Sequence, residues 1–494
     1  MAEKQGRVNR SGKEESTRLA VIGAGPGGYG AAFQAADLGV ETVLIDPEPN
    51  PGGVCLFRGC IPSKALLHVA GVIGQARDAA RWGVKFAEPE LDLEKTRTWK
   101  QEVVKRLVGG LGVLARNRGV RYLRGRARLK DARCLEITKE EGETAVLNFE
   151  HAILATGSRP VRPGALFPAA GSERVMDSTK ALDLPDVPDR LLVVGGGYIG
   201  LELGSVYAAL GSRVTVVEMT GGLLPGVDRD LVRPLAKRLE KDFGAVLLNT
   251  KVASLKEQEH SVLVSLEGAR APGREQEFDR VLVAVGRNPY TQELGLEKTR
   301  VRLDEKGFIR VDPSRRTEEP SLFAIGDIAG QPMLAHKAIH EGRCAAEVIA
   351  GRNVEFRPRA IPAVVFTQPE VAWCGLTEPE ARERGLQVEI CRFPWSASGR
   401  ALTLDHPEGL TKLVLAREGR RILGVGITGT QAGELIAEGV LAVEMGANPE
   451  DLALSIHPHP TLSETLMEAA EIFFGQSTHL ARSRPQGRST ADGR

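Results

Sequence analysis

The sequence predicts an α/β fold in which one domain of strand–turn–helix units is interrupted by a second of the same kind. An α+β domain follows at the C-terminal end. Three observations carry the prediction. A glycine-rich turn occurs twice at a constant offset, two apolar strands bracket the second copy, and the sequence texture changes after about residue 357.

The elements follow in order. Residues 1–17, MAEKQGRVNRSGKEEST, are polar, mix both charge signs and read as a disordered tail. Leu19–Ile22 is a short apolar strand running into GAGPGGYGAA and a helix of small residues to about Leu38. ETVLID is a second strand ending at Asp46. The same grammar returns in RLLVVGGGYIGLELG and in SRVTVVE, which ends at Glu218. Gly23, Gly25 and Gly28 stand 172 residues before Gly195, Gly197 and Gly200, and Asp46 stands 172 before Glu218. A single G-x-G-x-x-G is a weak signal. Each copy here follows an apolar strand, opens a helix and meets an acid about 20 residues on, which is the context of a Rossmann-like dinucleotide-binding unit. The first glycine makes the tight turn, the second lets backbone approach a pyrophosphate, and the third lets helix pack on strand. The helix N-terminus faces the phosphates, and the acid accepts from ribose hydroxyls.

AILATGSRP and VLVAVGRNP read as buried strands leaving through turns at Gly157 and Gly286, and they bracket the inserted unit. LFAIGDIAG is an apolar strand ending at Gly326-Asp327. After about 357, alternation in RILGVGITGT and a helix from about Gln431 to Met445 mark the α+β domain. The expected segments are 18–157, a nucleotide domain; 158–286, the inserted second one; 287–356, returning to the first; 357–475, the α+β domain; and 476–494, a flexible polar tail.

Composition narrows the class. The chain has 494 residues, 42% hydrophobic and 26% charged, with a formal net charge of +1. That balance gives no global pull toward nucleic acid or anionic membrane. No apolar run approaches the ~20 residues of a membrane span. The N-terminal stretch lacks the apolar middle of a secretory signal, and Glu3, Glu14 and Glu15 argue against a transit peptide, so a cytoplasmic protein is expected.

Six cysteines are too few for a disulfide scaffold, yet two of them, Cys55 and Cys60, share the stretch GGVCLFRGCIPSK. Three readings compete. A structural disulfide is disfavoured in a reducing compartment. Zinc would need two further ligands, no second cysteine pair exists, and nothing in the sequence ties the HxH of His457 and His459 to one. Cys134, Cys344, Cys374 and Cys391 are isolated and read as small hydrophobes. In a redox pair, Pro62 suits the first turn of a helix, so Cys60 sits near its N-terminus, where the dipole favours a thiolate. Lys64 lies one turn on. Cysteines five apart in a regular helix are too far for the ~4.4–6.8 Å between bonded Cα atoms, so Cys55 to Gly59 must distort.

These features resemble the FAD-dependent pyridine-nucleotide disulfide oxidoreductases. The likeness runs from Leu19 to about Leu480 and is carried by GAGPGG, GGxCxxxGCIPSK, ATGSRP, GGGYIGLELG, AIGDIAGQPMLAHKA, VVFTQPEVAWCGLTE and HPHPTLSE. The redox box departs from the commonest form at Val54, Phe57 and Arg58, and Asp46 stands where Glu is more usual. The resemblance implies two nested domains for FAD and NAD plus a C-terminal dimerisation domain. It implies FAD on Gly23, Gly25, Gly28 and Asp46, with Gly157 at the strand exit and Asp327 on its ribityl and phosphate portion. Cys55 corresponds to the thiol that meets substrate and Cys60 to the thiol nearest the flavin. Lys64 corresponds to the lysine by the flavin ring, and Glu202, otherwise readable as a helix-surface residue, to its partner. His459 and Glu464 correspond to the base that removes protons from a dithiol and its orienting acid. Histidine has the right unperturbed pKa for that task. Thr461 and Glu464 also read as a capping box, T-x-x-E, so Glu464 could be only a cap.

Glu218, beside Gly195, Gly197, Gly200 and Gly286, favours NAD over NADP, because an acid repels a 2′-phosphate and no arginine lies near in sequence to receive one. That disfavours glutathione reductase. Cys391 is the last cysteine, so the extra C-terminal thiol pair of mercuric and high-molecular-weight thioredoxin reductases is missing. The resemblance implies oxidation of a protein-bound dihydrolipoyl dithiol by NAD⁺ in a homodimer with shared active sites. The lipoyl carrier would be an acyltransferase subunit of a 2-oxo acid dehydrogenase complex or a glycine-cleavage carrier protein. The rivals are a flavin reductase for another low-molecular-weight disulfide and a flavoprotein kept as a non-catalytic subunit.

Overall fold

The structure, a computed structural model, describes residues 15–481 apart from 165, 168–170, 270–272 and 274. They form two compact units. One comprises the residues up to Pro62, Gln101–Arg159 and Arg287–Arg357; the other comprises Ser63–Lys100, Pro160–Gly286 and the residues from Pro358 onward.

The first unit is built on a seven-stranded sheet. Strands Arg121–Arg124, Thr42–Asp46, Glu15–Ile22 and Thr144–Leu154 run parallel, and Leu322–Ala324 joins Thr144–Leu154 in the same sense. Cys134–Thr138 and Arg126–Asp131 continue the sheet antiparallel. The register decides function. Ile22 lies opposite Ile45 and Leu154, and Ala324 opposite Leu154, so four parallel strands end level at one edge. Gly23, Asp46, Gly157 and Asp327 all issue from that edge, where ligands bind in open α/β sheets. One face is closed by helices Pro26–Asp37 and Ala335–Ile349, which pack through Ala31, Ala35, Ala345 and Ala346.

The second unit holds a parallel sheet in the order Ala245–Leu248, Arg213–Glu218, Arg190–Val194, Arg280–Val283, Val175–Met176. A three-stranded antiparallel sheet of Thr250–Glu257, Val262–Gly268 and Glu275–Phe278 accompanies it. The C-terminal part is an antiparallel five-stranded sheet, Ala363–Val365, Glu370–Gly375, Ile422–Gly429, Leu410–Ala416 and Val388–Pro394, with helices Ala432–Met445 and Glu464–Phe473 packed on it.

The expected boundaries change at three places. The span 18–157 loses Ser63–Lys100 to the second unit, because Leu66 and Ala70 join the core of Leu191, Val193, Leu201 and Val206, and buried Lys100 donates to the Leu182 carbonyl. The tail expected over 1–17 gives up its last three residues: the first strand starts at Glu15, opposite Leu147, and Thr17 is buried, while 1–14 lie outside the described residues. At the other end 482–494 lie outside them, but Ser477 and His479 hydrogen-bond Glu468. One helical stretch, Gly53–Trp82, is by length and composition long and apolar enough to cross a membrane, which counting unbroken apolar runs misses. It breaks at Gly59 and carries the cysteine pair and Lys64.

Within the second unit, the α/β part and the C-terminal sheet are joined by a buried charge cluster. Lys412, fully buried, places Nζ 2.7 Å from Asp228, 3.0 Å from Asp230 and 2.5 Å from Glu378, and Arg392 pairs with Asp230 and Glu378. The three acids gather as metal ligands would, and the lysine ammonium supplies the positive charge. Removing one partner of a buried cluster strands the others. Lys412→Met is therefore expected to cost about 3–5 kcal/mol, read as a lowered urea unfolding midpoint. An unchanged midpoint would show the acids to be hydrated instead.

Candidate active site

The two glycine turns are built alike. Gly23 and Gly195 sit at φ 98° and 109°, a region closed to other residues, and a Cβ on either would strike the carbonyl of Ala155 or Ala284 within 2.5 Å. A Cβ on Gly28 or Gly200 would strike the Gly23 or Gly195 oxygen at 1.8 or 2.3 Å, so the helix lies directly on the strand exit. The middle glycines are the open ones. A Cβ on Gly197 meets nothing within 4 Å, and one on Gly25 meets only Gly53 Cα at 3.9 Å. Gly25 and Gly197 are also the N-caps of helices Pro26–Asp37 and Tyr198–Leu210, with no side chain capping them. Unfilled helix N–H groups beside an open backbone approach fit a pyrophosphate.

The acids repeat too. Asp46 accepts from the Ala24 N–H at 2.7 Å and the Glu48 N–H at 3.0 Å. Glu218 accepts from the Gly196 and Thr220 N–H groups, both at 2.8 Å. Each carboxylate therefore fixes its turn before any ribose arrives, and each oxygen keeps a lone pair for a hydroxyl. Burial raises the Asp46 pKa, against the pull of those two amides. Eleven residues after Glu218, Arg229 reaches the 221–224 loop and donates to the carbonyls of Leu223, Leu224 and Val227. That guanidinium is spent on backbone.

The redox segment is seated on the first turn. Gly52 N–H donates to the Ala24 carbonyl at 2.8 Å, and a Cβ on Gly53, at φ 58°, would stand 2.4 Å from Gly25 Cα. A short helix Gly53–Arg58 carries Cys55; Gly59 breaks it at φ −147°, ψ −114°, and Cys60 opens the helix Cys60–Asp78. The required distortion is thus at Gly59, where a Cβ would come 3.3 Å from Cys55 Cα. Tyr29 borders both thiols; burial first, then charge at Cys55 and Cys60, pushes its pKa up to about 12. The unusual Arg58 has a partner, Glu48 at 2.6 Å, which ties this helix to the end of the second strand. By contrast Cys374 and Cys391 are buried, which pushes their thiols up to about 12. Cys344 is buried as well, and Cys134 is half-buried.

Asp327 lies in the turn Gly326–Ala329 and accepts from Ser158 Oγ, which accepts from Arg287 Nε at 2.7 Å. Sequence reasoning missed these two residues and a buried triad behind them. Glu341 accepts from Gly326 N–H at 2.7 Å, from Arg315 at 2.8 Å and from Lys337 at 3.1 Å. The signal was there: Lys337 and Glu341 stand four apart on the same helix face as Ala338, Ala345 and Val348. Gly157 and Gly286 sit in the strand exits, their carbonyls accepting from Tyr290 and Val161.

In the second unit, Lys64 Nζ meets Glu202 Oε2 at 2.8 Å and lies 4.4 Å from the Phe366 ring centre. Glu202 is buried, not on a helix surface, and also accepts from Ser63 Oγ and the Phe366 N–H. His459 Nδ1 is 2.9 Å from Glu464 Oε1. Glu464 Oε2 accepts from the Thr461 N–H at 2.7 Å, but the expected capping box is only half made: the helix starts at Glu464 with Ser463 as its N-cap, and Thr461 Oγ1 donates to the Pro458 carbonyl. Burial pushes the Glu464 pKa up, but the Thr461 amide and His459 outweigh it and hold the carboxyl below its usual range. Glu464 therefore remains an anion at neutral pH.

These features define a flavin- and nicotinamide-dependent disulfide oxidoreductase. Residues 17–342 match the family described as pyridine nucleotide-disulphide oxidoreductase, and 361–470 match its dimerisation domain. The chain belongs to that family. Relatives named dihydrolipoyl dehydrogenase include those of Thermus scotoductus, 49% identical over 94% of this chain and 98% of its own length, and Vibrio parahaemolyticus, 48% identical over 95% and 98%. Among solved structures, LpdA of Mycobacterium tuberculosis is 28% identical at a TM-score of 0.85, covering 92% of this chain and 99% of its own. The HOCl-induced flavoprotein disulfide reductase RclA of Escherichia coli is 27% identical at 0.80, with the same coverage. The cofactors are FAD and NAD.

Gly53→Ala places a methyl against Gly25 and should yield protein with substoichiometric flavin, read from the 450 nm absorbance per chain. Full flavin content would show that the segment can lift without disturbing the turn.

Proposed function

We infer that the chain oxidises a protein-bound dihydrolipoyl dithiol to the cyclic disulfide and reduces NAD⁺ to NADH. The observation that carries this is near-full-length identity to dihydrolipoyl dehydrogenases. The Cys55–Cys60 segment, seated on the first glycine turn, supports it. FAD, when bound, would supply a two-electron carrier between the reduced cysteine pair and NAD⁺. Gly23, Gly25, Gly28, Asp46, Gly157 and Asp327 would hold FAD, with Lys64 at its ring; Gly195, Gly197, Gly200, Glu218 and Gly286 would hold NAD.

The chain's own groups divide the thiol chemistry. His459 takes the proton of one substrate thiol, and the thiolate attacks the Cys55 sulfur of the Cys55–Cys60 disulfide. The Cys55–S bond to substrate forms as the Cys55–Cys60 bond breaks, and Cys60 leaves as a thiolate, which its helix N-terminus favours. Protonated His459 then gives its proton to Cys55 as that thiol leaves and takes the proton of the second substrate thiol, whose sulfur attacks the substrate sulfur bound to Cys55 and closes the lipoyl ring. Glu464 fixes the imidazole orientation and balances its positive charge.

The dimerisation domain supports a homodimer, and exposed Leu441, Met445, Leu454 and Ile456 offer apolar surface for it. The carriers we propose are the lipoyl-bearing acyltransferase of a 2-oxo acid dehydrogenase complex or a glycine-cleavage carrier protein, in a cytoplasmic setting. Domain roles follow: FAD on the first unit, NAD on the parallel sheet of the second, dimerisation on its C-terminal sheet.

Dihydrolipoamide should be the preferred reductant of NAD⁺ in a panel of dithiols. Better turnover with another small thiol would favour the rival reductase, and no turnover with any would favour the non-catalytic subunit.

The shared site is tested in mixed dimers of a Cys55→Ser subunit and a His459→Ala subunit. If one protomer's Cys55 works with the partner's His459, one site carries both lesions and the other none. About half of wild-type activity is then retained. A site within one chain leaves every site damaged, and the mixed dimer would be as inactive as its parents.

A further inference from the structure

The stretch that presents His459 has little to hold it. Ser455 to Leu462 contains no helix or strand, and His459 itself is 70% exposed. From Leu454 to Pro460 every residue is exposed except His457. Downstream, Glu464 and Thr461 anchor the chain. Upstream, the side chain of His457 is only 7% exposed, and both its ring nitrogens are engaged. Nδ1 lies 2.8 Å from the Ser455 carbonyl, and Nε2 lies 2.8 Å from Glu438 Oε1 on the helix Ala432–Met445. A carbonyl and a carboxylate are both acceptors, so each ring nitrogen faces a hydrogen-bond acceptor.

We propose that His457, clamped between Glu438 and the Ser455 carbonyl, is a positioning residue for His459: it pins the irregular segment two residues ahead of the base to a packed helix. This rests on His459 being the base. The two anchors have different directions of pull. Glu464 fixes the imidazole of His459 from the C-terminal side, and His457 fixes the backbone from the N-terminal side. With only one, the ring can swing with its backbone, and proton transfer is sensitive to such small displacements. His457 carries no proton of the reaction, because both its nitrogens are already committed.

The holoenzyme can be tested by half-reaction. Reduction of the flavin by NADH uses no dithiol base; reduction by dihydrolipoamide does. His457→Ala and Glu438→Ala should each slow the dihydrolipoamide half-reaction about tenfold or more, with the NADH half-reaction unchanged. Glu438→Gln keeps an oxygen that accepts from the ring and should recover most of the rate. The double alanine variant should be no slower than either single one, since both act on one anchor. His457→Gln serves where the alanine variant fails to fold. Equal loss in both half-reactions, a dithiol half-reaction at the wild-type rate, or additive losses would each overturn the proposal. His459→Ala separates the two readings. If it abolishes dithiol oxidation while His457→Ala does not slow it, only the positioning role falls. If His459→Ala leaves dithiol oxidation intact, the assignment of the base falls with it.

Discussion

The contact between Gly25 and Gly53 is the constraint from which the rest of the flavin side follows. Gly53 lies so close to the turn that a Cβ on it would stand 2.4 Å from Gly25 Cα, at a φ of 58° that already disfavours a side chain. The turn that leaves the first strand and the turn that enters the cysteine helix are thereby one surface. The level ends of the parallel strands fix the first, and the Gly52–Ala24 hydrogen bond fixes the second. Once these are joined, Cys55 cannot move independently of the pyrophosphate cradle. A redox pair must hold its distance to a cofactor through many turnovers, and close backbone contact gives that without relying on flexible side chains.

The duplicated unit shows how one solution serves two nucleotides. Asp46 and Glu218 each bind a backbone amide of the glycine turn and the amide two residues beyond the acid. What differs is what lies over the middle glycine. Gly25 has Gly53 nearby, whereas Gly197 is open. The first turn is bordered by the cysteine segment, an arrangement that would suit the resident FAD of the proposed function. The second is open, as suits a nucleotide that must enter and leave with each turnover.

Much of this was legible in the sequence, for identifiable reasons. Glycine turns can be read because their backbone conformations exclude other residues, and the break between the cysteines because a regular helix cannot bring them together. The residues at which sequence reasoning failed are those whose neighbours lie far along the chain. Ser63–Lys100 has a helical pattern that does not say which core it will join. Glu202 read as a surface residue, yet its helix, YIGLELGSVYAAL, has no polar face, so the acid had to be buried and paired. Glu341 and Lys337 carried the same warning. A charge that falls on the apolar face of a helix has to be paired inside the protein.

The C-terminal domain pairs three histidines with carboxylates, and exposure separates their uses. His457 with Glu438 is shut in, both nitrogens bound to acceptors. His479 with Glu468 is half exposed, and its acid is also held by Ser477. His459 has its Nδ1 on Glu464 and a ring that is 70% exposed, the arrangement the proposed base requires. A base needs one nitrogen committed and one available; a clamp needs both committed. With His459 as the proposed base and His457 as the proposed clamp, one of each kind stands on a single irregular segment. Pairing with a carboxylate is therefore common to both roles and decides nothing by itself. What decides is whether the second nitrogen has already been used.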